Sequence, residues 1–192
     1  KRFPGKPLAK IKGIPMIQRV WQQAIDSDVG EVFVACSEKE VFDLITNLGG
    51  NAILTDPNLP SGTDRIYAAY KQIKNPGKNI INLQGDMPLI HSSHIQKVLE
   101  PIKNNFKIGT LATNLKKSQL QNPNITKIEI DWKNKNIGNA KNFFRIKKSL
   151  SKNKTYHHVG IYSQHHELFL SSFLYPSFFF LTRLFENLRI GL

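Results

Sequence analysis

Four short groups of polar residues have the types and spacing that chemistry on a phosphate or a sugar requires. They occupy residues 2–7, 61–65, 84–88 and 157–162, at the ends of predicted strands or in the turns that follow them. Ligands of open α/β sheets bind at the carboxyl ends of the strands, so these positions favour a binding site. Each group taken alone also has an ordinary structural explanation.

The first group, residues 2–7, combines two cations, Arg2 and Lys6, with Gly5. A glycine lets the backbone approach a ligand closely, and flanking cations suit a polyphosphate. The ordinary explanation is a basic turn at a chain end.

The second group, Ser61-Gly62-Thr63-Asp64-Arg65, opens a predicted helix. Backbone N–H groups and hydroxyls at a helix N-terminus can bind an anion or the edge of a base. The ordinary explanation is a capping box formed by Ser61 and Asp64, which are three residues apart.

The third group, Gln84-Gly85-Asp86-Met87-Pro88, directly follows an apolar predicted strand. A carboxylate exposed at the end of a buried strand is well placed to hold Mg²⁺ against phosphates, which points to Asp86. The ordinary explanation is a strand-to-helix turn in which the aspartate caps the helix.

The fourth group contains His158, Gly160 and Tyr162, whose alternation along a predicted strand places them on one face. An imidazole and a phenol there can hydrogen-bond the carboxylate and hydroxyls of a sugar. The ordinary explanation is a half-buried strand whose histidine and tyrosine pack. A zinc site built from the histidines of residues 157–166 is disfavoured, because their spacing matches no standard zinc motif.

The elements that must position these groups alternate between helical and strand patterns, which predicts an α/β fold with a largely parallel sheet. The predicted helices are 16–25, 39–48, 62–73, 92–99, 165–174 and 181–190. The predicted strands are 31–35, 51–54, 79–83, 108–113, 125–131 and 156–162.

Composition limits the classes of protein that fit. The 192 residues are 40% hydrophobic, which indicates a globular fold, and Cys36 is the single cysteine, which excludes an internal disulfide. The net charge of +13 favours polyanionic partners, although the lysines are spread over the chain as on a solvated surface. The longest apolar stretch, Phe178 to Leu181 with Phe173 and Leu174 nearby, falls well short of the ~20 residues that a membrane span needs.

The order of the groups is more specific than any one of them, and it resembles the 3-deoxy-manno-octulosonate (Kdo) cytidylyltransferase family. The resemblance runs from residue 1 to about residue 162. The motifs that carry it are Arg2-x-Pro-Gly-Lys6-Pro-Leu, Gly13-x-Pro15-Met16-Ile17, Ser61-Gly62-Thr63-Asp64-Arg65, Gln84-Gly85-Asp86-x-Pro88, Asn122-Pro123-Asn124 with Lys127, and His158-x-Gly160-Ile161-Tyr162.

The resemblance implies a nucleotide-diphospho-sugar transferase fold, a Rossmann-like mixed sheet sandwiched by helices with a small dimerisation lobe. It implies a single domain over residues 1–192, with a nucleotide-binding part at 1–114 and an incomplete sugar-binding and dimerisation part at 115–192. It also implies a cytoplasmic homodimer that acts in lipopolysaccharide biosynthesis, with no nucleic-acid partner and no stable membrane association.

The resemblance further implies a reaction between CTP and Kdo that gives CMP-Kdo and pyrophosphate with Mg²⁺ as cofactor. The implied catalytic residues are Lys6 and Asp86, of which Asp86 is also the metal ligand. The implied nucleotide-binding residues are Arg2, Lys6, Ser61, Gly62, Thr63 and Arg65. The implied sugar-binding residues are Gln84, Arg145, His158 and Tyr162.

The sequence also departs from the family. It begins inside the family's phosphate loop and stops before the family's second metal-binding aspartate, so we expect a sequence incomplete at both ends with little or no activity. Residues 178–180 are phenylalanines where the family is polar. Two alternatives stay open: a cytidylyltransferase for another acidic sugar of the sialic acid type, and a non-catalytic basic module that binds RNA or a protein.

Overall fold

The computed structural model describes residues 5–146, 154–174 and 188–191. They belong to two compact units, the first formed by Lys1–Gly77 with Asn82–Gln96 and the second by Lys78–Ile81 with Lys97–Leu192. The predicted site residue Arg2 and the phenylalanines at 178–180 lie outside the described residues. The sequence-based division at residue 114 stays a prediction.

The first unit surrounds a small parallel sheet. Its strands are β1 (Lys10–Ile11), β2 (Ile14–Pro15), β3 (Phe33–Cys36) and β4 (Asn51–Leu54). Its helices are α1 (Met16–Asp26), α2 (Lys39–Asn47), α3 (Gly62–Tyr70) and most of α4 (Ser92–Lys97). Strands β3 and β4 pair in parallel, whereas β1 and β2 form an antiparallel pair.

The core of this unit explains why α1 and α2 form. Both helices have apolar residues at helical spacing, and Ile17 of α1 packs with Val41 and Ile45 of α2 in one buried cluster. Helix α2 ends where Gly49 adopts a φ of 79°, a left-handed conformation that glycine adopts without strain. The helix therefore ends at Asn47, one residue before the predicted end at residue 48.

The second unit is built on a larger mixed sheet. Its strands are β5 (Asn79–Asn82), β6 (Ile108–Asn114), β7 (Lys127–Trp132), β8 (Ile137–Phe144), β9 (Thr155–His165) and β10 (Leu188–Gly191), and its helices are α5 (Glu100–Lys103) and α6 (His166–Leu174). The strand order is β5-β9-β6-β10-β8-β7, with a further pairing between β9 and β7. Strand β10 runs parallel to β6, whereas β8 is antiparallel to both β10 and β7. The chain is therefore an α/β protein with a mixed sheet, as the resemblance implies. The largely parallel sheet predicted from the alternating patterns is wrong for this unit, because β9 pairs antiparallel with β6 and β7, and β8 pairs antiparallel with β7 and β10.

Two element predictions need correction. The sequence pattern predicts that residues 188–190 end a helix beginning at residue 181, but Leu188–Gly191 is a strand paired with β6 and β8. Pairing with strands on both sides determines the conformation of this segment. The hydrophobic periodicity of such a short apolar segment does not distinguish a helix from a strand. Strand β8 was not predicted, because Gly138, Asn139 and Asn142 weaken its strand pattern.

Strand β9 makes an irregular pairing that matters for the site. Against β6, Tyr162 pairs with Thr110 but Val159 pairs with Leu111, so Gly160 and Ile161 form a bulge. A bulge bends the strand and redirects the side chains beside it.

Within the described residues, no helix combines the length and apolar character required to cross a bilayer.

Candidate functional site

An ion pair joins two of the predicted site residues in the first unit. Lys6 lies in a single 3₁₀ turn that follows Gly5, whose φ of 64° is left-handed. Asp86 lies in the turn after β5. The Lys6 Nζ donates to Asp86 Oδ2 at 2.6 Å, although the residues are 80 positions apart in sequence. The fold thus brings together the two residues predicted to be catalytic.

Both members of this pair face solvent, with side-chain exposures of 46% for Lys6 and 53% for Asp86. An exposed ion pair contributes little to stability, so its two charges are free to be redistributed by a ligand. A cation and a carboxylate in one exposed place suit a metal-bound polyphosphate, with the cation on phosphate oxygens and the carboxylate on the metal.

The surroundings of Asp86 fit Mg²⁺. This ion keeps several waters and commonly takes only one or two protein carboxylates together with substrate phosphates. Asp86 supplies one half-exposed carboxylate, and no group of three or more His, Cys, Asp or Glu residues in the described part of the chain is arranged as a metal site. A metal held by Asp86 would therefore depend on the nucleotide for further ligands.

Helix α3 begins with the cap that Ser61 and Asp64 predict. The Asp64 N–H donates to Ser61 Oγ at 3.2 Å, and the Ser61 hydroxyl donates in turn to the Asp64 carboxylate. The N-cap is confirmed for this pair, but the Asp64 carboxylate accepts from the Ser61 hydroxyl, whereas in a capping box it accepts from the backbone N–H of the cap residue. Thr63 lies partly buried in the first turn of the helix. A role of Ser61, Gly62 and Thr63 in nucleotide binding stays a prediction.

Arg65 is directed at the carboxyl ends of β3 and β4. Its Nη1 donates to the Thr55 hydroxyl at 2.6 Å and to the Asp56 carbonyl at 3.3 Å. The Thr55 hydroxyl donates to the Cys36 carbonyl, which joins the ends of the two strands. Arg65 therefore fixes the loops at this edge of the sheet, a structural task that its sequence motif does not reveal.

Gln84 lies beside Gly62. A Cβ atom at position 62 would approach Gln84 Oε1 to 2.7 Å, so only glycine fits without displacing that side chain. Gln84 Nε2 donates to the Oδ1 of the buried residue Asn82 at 2.6 Å, which orients the amide. Asn82 is not among the predicted site residues, and no local sequence signal identifies it, because its role depends on the contact with Gln84 in the turn after β5.

In the second unit, His158 and Tyr162 lie together on β9. Their rings have centroids 5.4 Å apart, which confirms that they share a face. Burial, and then the neighbouring His157, lowers the pKa of His158 to about 4, and burial raises the pKa of Tyr162. Both groups are therefore neutral at pH 7 and act there as hydrogen-bonding groups.

Arg145 is exposed at the end of β8, where its Nη1 donates to the Pro123 carbonyl at 3.2 Å. Lys127 is a fully buried lysine, and its Nζ donates to the carbonyls of Asn122 and Arg145. Burial, and then the charge of Arg145, lowers the pKa of Lys127. This lysine ties the loop at Asn122 to the end of the strand that carries Arg145.

Comparison with known proteins gives a consistent result. The sequence profile of the cytidylyltransferase family matches residues 1–176. The 3-deoxy-manno-octulosonate cytidylyltransferase of Paramagnetospirillum magneticum is 38% identical over 167 residues, which are 84% of this chain and 68% of that protein. The enzyme of the same name from Thermodesulfovibrio yellowstonii is 41% identical over 176 residues, or 84% of this chain and 69% of that protein.

A solved structure agrees with these relatives. It is the structure of CMP:2-keto-3-deoxy-manno-octonic acid synthetase complexed with CTP, with a TM-score of 0.81 and 27% sequence identity. The match covers 99% of this chain and 83% of that one. The chain spans about two thirds of the length of the curated relatives that it matches.

Proposed function

This chain belongs to the cytidylyltransferase family, and we propose that it joins CTP to 3-deoxy-manno-octulosonate, giving CMP-Kdo and pyrophosphate. The anomeric hydroxyl of the sugar attacks the α-phosphorus of CTP and releases its proton to solvent. The new oxygen–phosphorus bond forms as the bond to the β-phosphate oxygen breaks, and pyrophosphate leaves with that electron pair.

The observation that carries the proposal is the exposed ion pair between Lys6 and Asp86. Neither residue is buried, and neither is needed to complete a core, yet the fold holds them 2.6 Å apart. When the triphosphate binds, Lys6 moves from the carboxylate to phosphate oxygens and balances the charge that develops on the leaving group. Asp86 is the residue that would hold Mg²⁺, which when bound neutralises the phosphates and polarises the reacting phosphoryl group.

Other residues of the first unit support the same role. The cap at Ser61 leaves the first N–H groups of α3 directed out of the helix end, where they can bind a polar edge of the nucleotide. Gln84 is oriented by Asn82 and packed against Gly62, so its amide is held in one position before the sugar binds. Fixed groups of this kind lower the entropic cost of bringing two substrates together.

The first test is CTP binding measured by calorimetry with and without Mg²⁺. We expect Mg²⁺-dependent binding to the chain and a loss of that binding in Asp86→Ala. The matched control is Asp43→Ala, because Asp43 is a carboxylate of similar exposure that pairs with Lys39 on the surface of α2. Absence of CTP binding to the unmodified chain, or equal losses in both variants, would overturn the proposed nucleotide site.

The second test identifies the sugar. Kdo and a sialic acid are titrated into the CTP-saturated chain, and CMP-sugar formation is followed in the same samples. Binding of Kdo alone supports the proposal, whereas preference for the sialic acid favours the other acidic-sugar alternative. The assay also tests the expectation that these 192 residues have little or no turnover. Retention on RNA at ~0.2 M salt without CTP binding would favour the basic-module alternative, since purely electrostatic contacts weaken steeply with salt.

We also propose a cellular compartment and an oligomeric state for the enzyme. CTP is consumed where nucleotides are made, so we place the enzyme in the cytoplasm at the start of lipopolysaccharide assembly. We propose a homodimer because the family resemblance implies one, and sedimentation equilibrium is the measurement that tests it. A single species at the mass of one chain across the concentration range would contradict the dimer.

A further inference from the structure

The bulge in β9 surrounds a buried threonine that no motif identifies. Thr110 of β6 is fully buried, and its Oγ1 lies 2.6 Å from the Ile161 carbonyl and 3.3 Å from the Val159 carbonyl. The same oxygen lies 3.0 Å from Nε2 of His158. Three groups of β9 therefore converge on one hydroxyl.

The number of available protons decides which group donates and which accepts in each of these hydrogen bonds. A threonine hydroxyl has one proton to donate, and a carbonyl oxygen can only accept. The short contact with the Ile161 carbonyl uses that proton, so towards His158 the Thr110 oxygen is an acceptor. Nε2 of His158 then carries the ring proton. Because burial keeps the pKa of His158 at about 4, the ring is neutral at pH 7 and its Nδ1 is unprotonated.

The unprotonated nitrogen is the one left for a ligand. Thr110 engages Nε2 of His158, and the described residues provide no hydrogen-bond partner for its Nδ1. The rings of Phe143 and Tyr162 flank the imidazole, with centroids 5.0 Å and 5.4 Å from its own. These contacts limit the rotation of the ring.

We propose that Thr110 is a positioning residue that fixes His158 in the Nε2–H tautomer and so presents Nδ1 as an acceptor for a hydroxyl group of the sugar. The identity of the occupant rests on the proposed function, because a polyhydroxylated acid supplies the donor. A histidine in the other tautomer would present an N–H to the ligand and would instead select an acceptor such as a carboxylate. Thr110 thereby helps to decide which part of the sugar this histidine contacts.

The first experiment needs no ligand. The ¹⁵N chemical shifts of the His158 ring are measured by NMR in the unmodified chain, in Thr110→Val and in Thr110→Ser. We expect a single Nε2–H tautomer in the unmodified chain and in Thr110→Ser, and loss of the single-tautomer pattern in Thr110→Val. An Nδ1–H tautomer in the unmodified chain would overturn the proposal.

The second experiment measures the dissociation constants of Kdo and CTP. Thr110→Val should weaken Kdo binding about tenfold, which corresponds to ~1.4 kcal/mol. CTP binding should change less than twofold, and Thr110→Ser should restore Kdo binding. Thr113→Val is the matched control, because Thr113 is an exposed residue of the same strand. Kdo affinity in Thr110→Val within twofold of the unmodified chain would overturn the positioning role.

The two proposals fail in different ways. If the unmodified chain does not bind Kdo, the proposed substrate is wrong, while the tautomer measurement still decides whether Thr110 fixes the ring. If Thr110→Val does not fold, the unmodified chain and Thr110→Ser supply the decisive spectra.

Discussion

The two polar regions of the molecule differ in how far their polar side chains are exposed to solvent. In the first unit, Lys6 and Asp86 meet at the surface on short turns, with about half of each side chain exposed. In the second unit, Thr110, Lys127 and His158 lie on strands and are almost wholly buried. Exposed charges are available to a ligand and contribute little to the fold, whereas buried polar groups are costly unless every hydrogen bond is made. We therefore expect binding and stability to respond differently to substitution in the two regions.

The largest expected effect tests the buried side of this contrast. Lys127→Met keeps the length and volume of the side chain but leaves the carbonyls of Asn122 and Arg145 without their donor. We expect a loss of about 2–4 kcal/mol in the free energy of unfolding, measured by urea denaturation. Lys117→Met, at an exposed lysine of the same unit, is the control. A loss below about 1 kcal/mol in Lys127→Met would show that the ammonium is not needed.

The next effect is a pH dependence that arises from His158. Its pKa is about 4 in the folded chain, below its ordinary value of 6.5, so the unfolded chain binds more protons between these two values. The contribution of neutral His158 to stability is therefore present above pH 6.5 and lost as the pH falls towards 4. It amounts to about 3 kcal/mol. The difference in unfolding free energy between pH 7 and pH 4.5 should shrink in His158→Phe, and an unchanged difference would contradict the assignment.

The sequence predicts the exposed region far better than the buried one. Lys6, Ser61 and Asp86 belong to turn and cap motifs whose residue types are visible without the fold. Thr110 and Asn82 lie inside apolar strands, and nothing local distinguishes their side chains from others of the same type. Their roles depend on partners that β9 and the turn after β5 supply, so only the tertiary structure identifies them.

Dependence on tertiary partners also explains the errors in the predicted helices and strands. The helices with strong apolar periods, such as α1 and α2, were predicted nearly to their ends. Strand β8 has a weak pattern of its own and exists because β7 and β10 pair with it. Local pattern decides the first kind of element and neighbouring strands decide the second.

A smaller effect is expected at the cap of α3. Ser61→Ala removes the acceptor of the Asp64 N–H and should cost about 1 kcal/mol of unfolding free energy. Ser61→Asp should retain most of the stability, because aspartate is also a good N-cap residue. Thermal unfolding of the two variants compares them directly, and equal destabilisation would argue against a capping role.

The smallest expected effect is at the ion pair itself. Lys6→Ala should change the free energy of unfolding by less than about 1 kcal/mol, because both charges are exposed. The same variant should weaken CTP binding at least tenfold, since a charge-assisted contact to phosphate is lost. Urea denaturation measures the free energy of unfolding of this variant. A large loss would contradict the expected difference between the two regions.

The double pairing of strand β9 has a consequence for the behaviour of the chain in solution. Residues 156 and 157 have β6 on one side and β7 on the other, so this part of the strand is paired at both edges. A row of unpaired N–H and C=O groups is what allows one chain to add its strand to another, and such rows initiate aggregation. At this end of β9 no such row is presented, which protects the segment that leads into His158 from capture by a second molecule.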